Sequence, residues 1–307
     1  MKKISLIIVC IVMVTAVAVS LVGCDEEEFT SKPLSAQWMG QLDDSSLLSS
    51  ISIPGSHDSG SIRKGGIFEF SHTQNLTIEQ QLLSGVRFFD IRLGFKKGKL
   101  GIYHGFLYQK VTFDDVIKVC KDFLAAHPTE TILMSIKHEH GDSVTTAVVE
   151  KIQEEPSLWY TANSNPTLGQ VRGKIVLFNR IDGAQQLGID LNGMGDNCTS
   201  DVNNGVPIHV QDYYNVGKKK NLYSEWEEIQ ACFEYAKTAP QGTFVINFTS
   251  CYYPLIKGLP LPLIPKSASY IRGYLDEYYK TATGFQGIVL IDFVDEAIAE
   301  SIYNLNS

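Results

Sequence analysis

Short runs of β-branched and aromatic residues recur along the chain, and most of them alternate with segments of helical periodicity. This alternation is typical of a parallel sheet whose strands are joined by crossover helices. Eight runs have the composition of strands, and they are SISIP at residues 50–54, VRFFDIR at 86–92, LGIYH at 100–104, TILMSIK at 131–137, KIVLFNR at 174–180, PIHVQD at 207–212, TFVINFT at 243–249 and GIVLIDF at 287–293. The pattern predicts an α/β fold, a single (β/α)8 barrel of the TIM type.

Helical patterns lie between most of these strands. The predicted helices are Thr77–Ser84, Thr112–Ala126, Ser143–Glu154, Trp226–Lys237, Ser267–Tyr279 and Asp295–Leu305. Ser224, with Glu227 three residues later, predicts a capping box before the fourth of them. Only LGFKKGK separates the second and third strands, which is too short for a helix. The barrel should therefore be imperfect, with a hairpin-like link or an open seam at that point.

The first 24 residues have the pattern of a secretory signal, with a charged start at Lys2 and Lys3 and an apolar run to Val22. The tetrad LVGC, ending at Cys24, resembles the bacterial lipobox, in which the cysteine is lipidated after cleavage. An uncleaved membrane anchor is the alternative. We expect a signal peptide at residues 1–23, a tether at 24–45 and the barrel domain at 46–307.

This interpretation predicts an exported bacterial lipoprotein that is anchored through Cys24 to a membrane, at the outer membrane or cell surface. The acidic run DEEEFT after Cys24 resembles a surface-export tag and could equally be a solvated tether. The formal net charge of −8 becomes −10 when Lys2 and Lys3 are removed, which argues against nucleic acid as a partner.

Four cysteines other than Cys24 lie in the mature region, and they are Cys120, Cys198, Cys232 and Cys251. In an oxidising compartment they could pair in three ways, and buried free thiols are the alternative. Neither possibility is favoured by the spacing, which also fits no metal site.

Polar groups end seven of the eight predicted strands. They are His57 with Asp58, Arg92, His104, Lys137 with Glu139, Arg180, Asp212 and Asp292. In a (β/α)8 barrel the active site is built from the C-terminal strand ends and the loops that follow, while the interior is apolar. The ring of histidines, arginines and acids therefore predicts a catalytic site at that end of the barrel.

Along SIKHEH, strand alternation puts Lys137 and Glu139 on one face and His138 and His140 on the other. Metal ligands must converge on one point, so this cluster is a poor metal site despite its composition.

Eight motifs occur in a fixed order along the chain, and they are SIPGSHDSG, FFDIRLG, YHGFLY, TILMSIKHE, RGKIVLFNR, VQDYY, INFTS and IDFV. This ordered set, from about Leu48 to Ile298, resembles the bacterial phosphatidylinositol-specific phospholipases C. The resemblance implies cleavage of phosphatidylinositol to inositol 1,2-cyclic phosphate and diacylglycerol. Calcium-dependent relatives place carboxylates where this chain has Arg92, so a mechanism without a metal or other cofactor is implied.

The resemblance also assigns roles to the ring of polar residues. His57 would be the general base for the inositol 2-hydroxyl, with Asp292 holding its other ring nitrogen. His104 would be the general acid that protonates diacylglycerol, with the help of Asp58, and Arg92 would stabilise the phosphate. Pro54-Gly55 would let the backbone turn over the barrel mouth.

The inositol headgroup would be held by Lys137, Glu139, Arg180 and Asp212, with Tyr214 under the ring. Asp90 lies two residues before Arg92 and so on the same strand face. It is expected to join the ion network around Arg92, either as a structural salt-bridge partner or in a direct catalytic role.

The implied partner is a membrane surface that contains phosphatidylinositol, and the protein is expected to be a monomer. Two apolar segments, Cys251–Ser267 and Gly65–Phe70, follow strands at the functional end and would touch the bilayer or fold back as local packing. Two alternative functions are open. One is a barrel phosphodiesterase acting on glycerophosphodiesters, and the other is a non-catalytic lipoprotein that binds inositol lipids or glycans. Free phosphatidylinositol and glycosylated anchors are both open as substrates.

Overall fold

The computed structural model describes residues 29–96, 98–184, 187–254 and 264–307. Twelve strands occur in these ranges, namely Ile53–Ser56 (β1), Phe88–Lys96 (β2), Lys99–His104 (β3), Leu107–Thr112 (β4), Ile132–His140 (β5), Trp159–Tyr160 (β6), Ile175–Arg180 (β7), Ile189–Asp190 (β8), Thr199–Asn203 (β9), Pro207–Gln211 (β10), Phe244–Phe248 (β11) and Ile288–Ile291 (β12). The helices are Ile78–Leu83 (α1), Phe113–Ala126 (α2), Thr145–Glu154 (α3), Leu168–Val171 (α4), Leu222–Thr238 (α5), Ile264–Tyr278 (α6) and Glu296–Tyr303 (α7). Short 3₁₀ helices occupy Ser35–Gln41, Leu48–Ser50, Gly66–Phe70, Pro156–Leu158, Lys219–Asn221 and Asn304–Asn306.

Seven strands pair in parallel in the order β7-β5-β2-β1-β12-β11-β10. Short β6 and β8 extend this sheet beyond β7, and antiparallel β9 extends it beyond β10. Among the described strands no pairing joins the two ends of this order, so the barrel is open there. The predicted imperfect α/β barrel is confirmed.

One of the eight predicted strands does not belong to the parallel set. β3 pairs antiparallel with β2, with Leu93 opposite Ile102, and β4 returns antiparallel to β3. This is the hairpin-like link that the short LGFKKGK segment predicts. Strands β4, β6, β8 and β9 were not predicted, because they are short or hold too few consecutive apolar residues.

Alternate side chains of the parallel strands enter two separate apolar clusters. Ile288 and Leu290 of β12 pack in the cluster that fills the barrel, with Phe88 of β2. Val289 and Ile291 pack in the outer cluster, against the helices. This period of two is the expected signature of strands buried on both faces.

The helix boundaries follow capping chemistry in several places. α2 begins with a capping box in which Thr112 and Asp115 satisfy each other's backbone N–H groups. The capping box predicted at Ser224 is wrong, because α5 already begins at Leu222. Ser224 thus lies inside the first turn, where its hydroxyl is no longer at the helix boundary.

The N-terminal segment closes the base of the barrel. Arg87 and Glu130 form a completely buried ion pair at 2.8 Å, and the Arg87 guanidinium also donates to the carbonyls of Ser35 and Ala36. Glu130 accepts the backbone N–H of Met39 at 3.3 Å. Residues 31–45, placed in the tether from the sequence, therefore belong to the barrel unit, which spans 31–307.

The cysteines of the barrel are free thiols. Cys120, Cys232 and Cys251 are buried and Cys198 is exposed. Of the two possibilities left open by the spacing, the structure has the unbridged one. No helix in the described ranges combines the length and the apolar character needed to cross a bilayer.

Candidate active site

The strand period of two brings the polar residues together at the barrel mouth. On β12, Ile288 and Leu290 point into the barrel, and Asp292 continues the same face two residues on. The same alternation leads from Phe88 on β2 to Arg92. On three other strands a polar residue also follows the inward-facing apolar residues at even spacing. Lys137 follows Leu133 on β5, Arg180 follows Val176 and Phe178 on β7, and Asp212 follows Ile208 and Val210 on β10.

A tight turn at the end of β1 presents His57 and Asp58. Asp58 has a positive φ of 44°, which turns the chain back towards β2. The backbone N–H of Asp58 donates to the Asp90 carboxylate at 3.2 Å, and the N–H of Asp90 donates to the Ser59 hydroxyl at 2.8 Å. The turn is thus fixed by its neighbouring strand.

The predicted role of Pro54-Gly55 in this turn is wrong. Both residues lie inside β1, paired with Val289 and Leu290 of β12. A Cβ at Gly55 would come within 3.1 Å of the Phe88 Cβ. Gly55 is therefore required by close packing inside the barrel, and the turn is made at Asp58.

His57 is held between a carboxylate and a guanidinium. Its Nδ1 lies 2.7 Å from Asp292 Oδ1, and its Nε2 lies 2.8 Å from Arg92 Nη2. A guanidinium can only donate, so Nε2 is the acceptor and Nδ1 carries the proton that is donated to Asp292. This is the tautomer of a histidine that can accept a proton at Nε2.

Two opposing effects set the pKa of His57. Burial lowers the pKa, but the charge of Asp292 and its hydrogen bond outweigh burial, so the pKa lies above its ordinary value. The ring is consequently a stronger base than burial alone would allow.

Asp58 is the point on which both histidines converge. Its Oδ2 lies 3.3 Å from His104 Nε2, 3.6 Å from His57 Nε2 and 3.1 Å from Arg92 Nη1. Burial raises the pKa of Asp58 and outweighs the opposite effects of Arg92, His104 and His57. Asp58 is thus the shared neighbour of the two groups predicted to act as base and acid.

Asp90 holds two arginines from behind. Its Oδ2 accepts from Arg92 Nε at 3.0 Å, and its Oδ1 accepts from Arg180 Nη1 at 3.3 Å. Burial raises the pKa of Asp90, but Arg92 and Arg180 outweigh it and hold the pKa well below the usual range. Asp90 is therefore a permanent anion that fixes the two guanidinium groups.

His104 reaches the site by a different route from the other residues. β2 runs past the barrel rim, and the β2–β3 register returns the chain so that His104, two residues after Ile102, comes back beside Arg92. The following N–H, of Gly105, donates to Glu139 Oε1 at 2.8 Å.

Glu139 links this hairpin to the end of β5. It forms an ion pair with Lys137 at 2.9 Å. Burial raises the pKa of Glu139, but Arg92 and Lys137 outweigh it and lower the pKa to about 2. The ring of His140 stacks on Tyr103 instead, at 5.0 Å between centroids. Within the described part of the chain, no three His, Cys, Asp or Glu side chains are grouped as ligands for a metal ion.

A cavity of about 380 Å³ opens between these groups, a size typical of small-ligand sites. Its lining residues are His57, Arg92, His104, Lys137, Glu139, Arg180, Met194, Gly195, Asp196, Asp212, Tyr214, Ser250, Cys251, Tyr252, Ile264 and Asp292. The Tyr214 hydroxyl donates to Asp196 Oδ1 at 2.8 Å, and burial and this bond raise its pKa to about 12. Burial also raises the pKa of Asp212.

Comparison with known proteins decides the family. The model described as phosphatidylinositol-specific phospholipase C, X domain, matches residues 48–181. A 1-phosphatidylinositol phosphodiesterase of Staphylococcus aureus (strain Newman) is 36% identical over 236 residues, which are 69% of this chain and 74% of the relative. The chain belongs to the phosphatidylinositol-specific phospholipase C family.

Solved structures of this family have the same fold. A phosphatidylinositol-specific phospholipase C from Staphylococcus aureus superposes with a TM-score of 0.75 at 30% identity, covering 87% of this chain and 96% of that chain. The Listeria monocytogenes phosphatidylinositol-specific phospholipase C gives a TM-score of 0.71 at 24% identity, covering 89% of this chain and 99% of that chain, and shares the fold.

Nine of the predicted site residues line the cavity at the barrel mouth. Asp58 and Asp90 do not line it, but both contact the guanidinium of Arg92, which does. Cys24 lies outside the described residues. The structure thus brings together every predicted residue of the barrel mouth.

Part of the wall was not predicted. Met194, Gly195 and Asp196 belong to the loop before β9, where the sequence has no periodicity to indicate their position. Ser250 could have been found, because it continues the inward alternation of Phe244, Ile246 and Phe248 on β11.

The predicted apolar rim is described only in part. In the predicted segment Cys251–Ser267, the apolar residues Leu259, Leu261 and Leu263 lie outside the described residues. Ile264, in the same predicted segment, is buried at the start of α6 and lines the cavity, so for this residue the structure has local packing, the second of the two possibilities. In the other predicted segment Ile67 is 57% exposed, and Phe106 at the β3–β4 turn is 75% exposed.

Proposed function

We propose that this protein cleaves phosphatidylinositol to inositol 1,2-cyclic phosphate and diacylglycerol by general acid–base catalysis without a metal ion. The observation that carries the proposal is the convergence of His57 Nε2, His104 Nε2 and Arg92 Nη1 on one oxygen of Asp58. Two histidines beside one guanidinium supply a base, an acid and a cation within reach of a single phosphodiester.

The reaction begins at the inositol 2-hydroxyl. His57 Nε2 takes its proton as the oxygen forms a bond to phosphorus, and the imidazolium is stabilised by Asp292 at Nδ1. The bond from phosphorus to the diacylglycerol oxygen breaks, and His104 gives its proton to that oxygen. The phosphate oxygens draw the Arg92 N–H groups away from His57, which frees Nε2 for the hydroxyl and offsets the growing charge.

Asp58 assists the leaving-group side. Its carboxylate contacts His104 Nε2 at 3.3 Å, and its raised pKa makes it a proton acceptor that can share the His104 proton. Asp90 acts indirectly, because it contacts Arg92 and Arg180 and does not line the cavity.

The headgroup is held by the opposite wall of the cavity. Lys137 and Arg180 donate to inositol hydroxyls, while Glu139 and Asp212 accept from them. Tyr214 contributes a ring face beside Asp212. Alternating charged donors and acceptors suit vicinal hydroxyl groups, each of which can donate and accept.

Product analysis tests this proposal. Phosphorus NMR of the wild-type reaction is expected to show the cyclic phosphate before any inositol monophosphate. His57→Ala and His104→Ala should each reduce kcat by roughly 10²–10⁴ with unchanged circular dichroism. EDTA should leave the rate unchanged. Near-normal turnover in either variant, or activity restored by calcium after EDTA, would contradict the mechanism.

The substrate lies in a membrane, and we propose that Ile67 and Phe106 meet its surface beside the cavity. Both side chains are exposed, and Phe106 is two residues from His104. We further propose export as a monomeric lipoprotein with an acylated Cys24, on the evidence of the LVGC motif. Mass spectrometry of the native protein and analytical ultracentrifugation test these two points. An unmodified Cys24 in the mature protein would contradict the first.

A further inference from the structure

A buried segment at residues 73–74 crosses behind His57 and Asp292. Gln74 is completely buried, and its Nε2 donates to the carbonyls of His57 at 2.9 Å and Ile291 at 2.8 Å. Its Oε1 accepts from the backbone N–H of Val294 at 3.1 Å. One side chain therefore joins the ends of β1 and β12 on both sides of the His57–Asp292 pair.

Thr73 adds two contacts to the same chain ends. Its carbonyl accepts from the N–H of Phe293 at 2.6 Å, and its hydroxyl donates to the carbonyl of Asp58 at 3.0 Å. Phe293 has a φ of 54°, a conformation that non-glycine residues rarely adopt. The bond from Phe293 therefore holds a residue whose backbone would otherwise relax.

These contacts lie where the sheet itself stops. The parallel register of β1 and β12 ends at Ser56 opposite Ile291, one residue before His57 and Asp292. The bond from the His57 N–H to the Ile291 carbonyl, at 3.3 Å, is the last backbone bond between the two chain ends. Beyond it, Thr73 and Gln74 supply the hydrogen bonds that link the backbones of the two chain ends.

We propose that Thr73 and Gln74 form a strap that holds His57 and Asp292 at hydrogen-bonding distance, with Gln74 as a positioning residue for catalysis. The inference rests on the proposed roles of His57 and Asp292. The hydrogen bonds of the Gln74 side chain go to backbone groups and Gln74 does not line the cavity, so it acts through the backbone of the chain ends.

A second buried glutamine provides a matched control. Gln286 precedes β12 at the opposite end of the barrel and is also completely buried. Its Nε2 donates to the carbonyls of Thr283 and Gly284, and its Oε1 accepts from the Tyr278 hydroxyl. Each glutamine side chain makes three hydrogen bonds that methionine cannot make, but the Thr283 and Gly284 carbonyls are at exposed residues, and only Gln74 bonds to His57.

The experiment compares Gln74→Met with Gln286→Met in the full chain, using a short-chain monomeric phosphatidylinositol. Gln74→Met should lose tenfold to a hundredfold in kcat with little change in KM, because a displacement of about 1 Å costs roughly 10²-fold. Gln286→Met should lower Tm by no more than Gln74→Met does, and its kcat should be normal. Proton NMR of the resting enzyme should show the His57 Nδ1 proton shifted or lost by exchange in Gln74→Met alone.

Wild-type kcat and an unchanged Nδ1 proton in Gln74→Met would overturn the proposal, as would an equal loss of kcat in Gln286→Met. If Gln74→Met does not fold, Thr73→Val removes only the hydroxyl's bonds, to the carbonyls of Asp58 at 3.0 Å and Ser61 at 3.4 Å, and it should lower kcat severalfold and move the same proton signal. No change in either quantity would also overturn it. The NMR signal needs no turnover, so failure of the catalytic roles is recognised separately, by activity that persists in His57→Ala.

Discussion

Asp90→Asn should damage both stability and catalysis, and it decides between the two roles that the sequence leaves open for Asp90. The carboxylate is completely buried and contacts Arg92 at 3.0 Å and Arg180 at 3.3 Å. An amide of the same shape can still accept the Asp58 N–H, but it carries no charge. Two guanidinium groups would then lose the anion between them.

The magnitude follows from these contacts. Removing one partner of a buried ion pair costs about 3–5 kcal/mol, because the other charge remains buried without compensation. Arg92 keeps Asp58 at 3.1 Å as a second partner, so we expect a loss near the lower end, about 3 kcal/mol. A displacement of Arg92 by about 1 Å would lower kcat by roughly 100-fold. KM should rise by a smaller factor than kcat falls, because the proposed headgroup contact of Arg180 is not the one that is displaced.

Glu130→Gln is the matched control for this measurement. Glu130 is equally buried, and its partner Arg87 lies at 2.8 Å at the base of the barrel. Urea unfolding followed by circular dichroism gives the free energy of unfolding of both variants, and kcat is measured on a short-chain monomeric substrate at 10 °C. Domains commonly have 5–15 kcal/mol of stability, so both variants should remain folded there.

The expected result is a comparable loss of stability in the two variants and a loss of kcat in Asp90→Asn alone. If Asp90→Asn unfolds more easily but turns over at the wild-type rate, Asp90 is a structural salt-bridge partner only. If Glu130→Gln loses as much kcat, the rate reports general destabilisation, and the reasoning about Arg92 fails.

Three further changes have expected outcomes. Asp292→Asn should move the acid limb of the kcat/KM profile to lower pH, since Asp292 raises the pKa of His57. Without that charge the His57 pKa is lower, and the ring stays deprotonated at more acidic pH. An acid limb at higher pH would contradict this. Burial raises the pKa of Glu225 on α5 from 4.5 to about 9, so wild-type stability should fall as pH rises through that window, by about 1.4 kcal/mol per unit. Glu225→Gln should remove most of this dependence in urea titrations at pH 5 and pH 8, and parallel curves for both proteins would refute it. Phe106→Ser should weaken vesicle binding about tenfold, or 1.4 kcal/mol, in a sedimentation assay without changing turnover of monomeric substrate, whereas an equal loss on both substrates would show that Phe106 serves the site itself.

The repeating pattern of the sequence determined most of the barrel. Strand composition and the alternation with helices predicted all seven parallel strands, and the shortness of LGFKKGK predicted the hairpin after β2. These features are local, because they depend on the period of side chains within one segment. The same period placed Arg92, Arg180 and Asp292 at the mouth, since a residue two positions beyond an inward apolar residue also faces inward.

The pattern could not predict features that depend on neighbours far along the chain. The sequence pattern predicts a turn at Gly55. In the structure this position must lack a side chain, because a Cβ would press against Phe88 and Leu290 on the adjacent strands. The sequence pattern predicts a tether at residues 31–45. It misses the bonds that Arg87 and Glu130 make to this segment, because those two residues are far away along the chain.

What the sequence by itself determined was the set of chemical groups and the end of the barrel at which they lie. Only the tertiary structure decided how they contact one another. His57 has an unprotonated Nε2 because Arg92 donates to that nitrogen, while Nδ1 donates to Asp292. Asp58 and Asp90 both contact Arg92. Burial nevertheless raises the pKa of Asp58, whereas at Asp90 the charges of Arg92 and Arg180 outweigh burial and lower the pKa. Distances and desolvation of this kind arise only when separate strands are packed together, so no local pattern in the sequence encodes them.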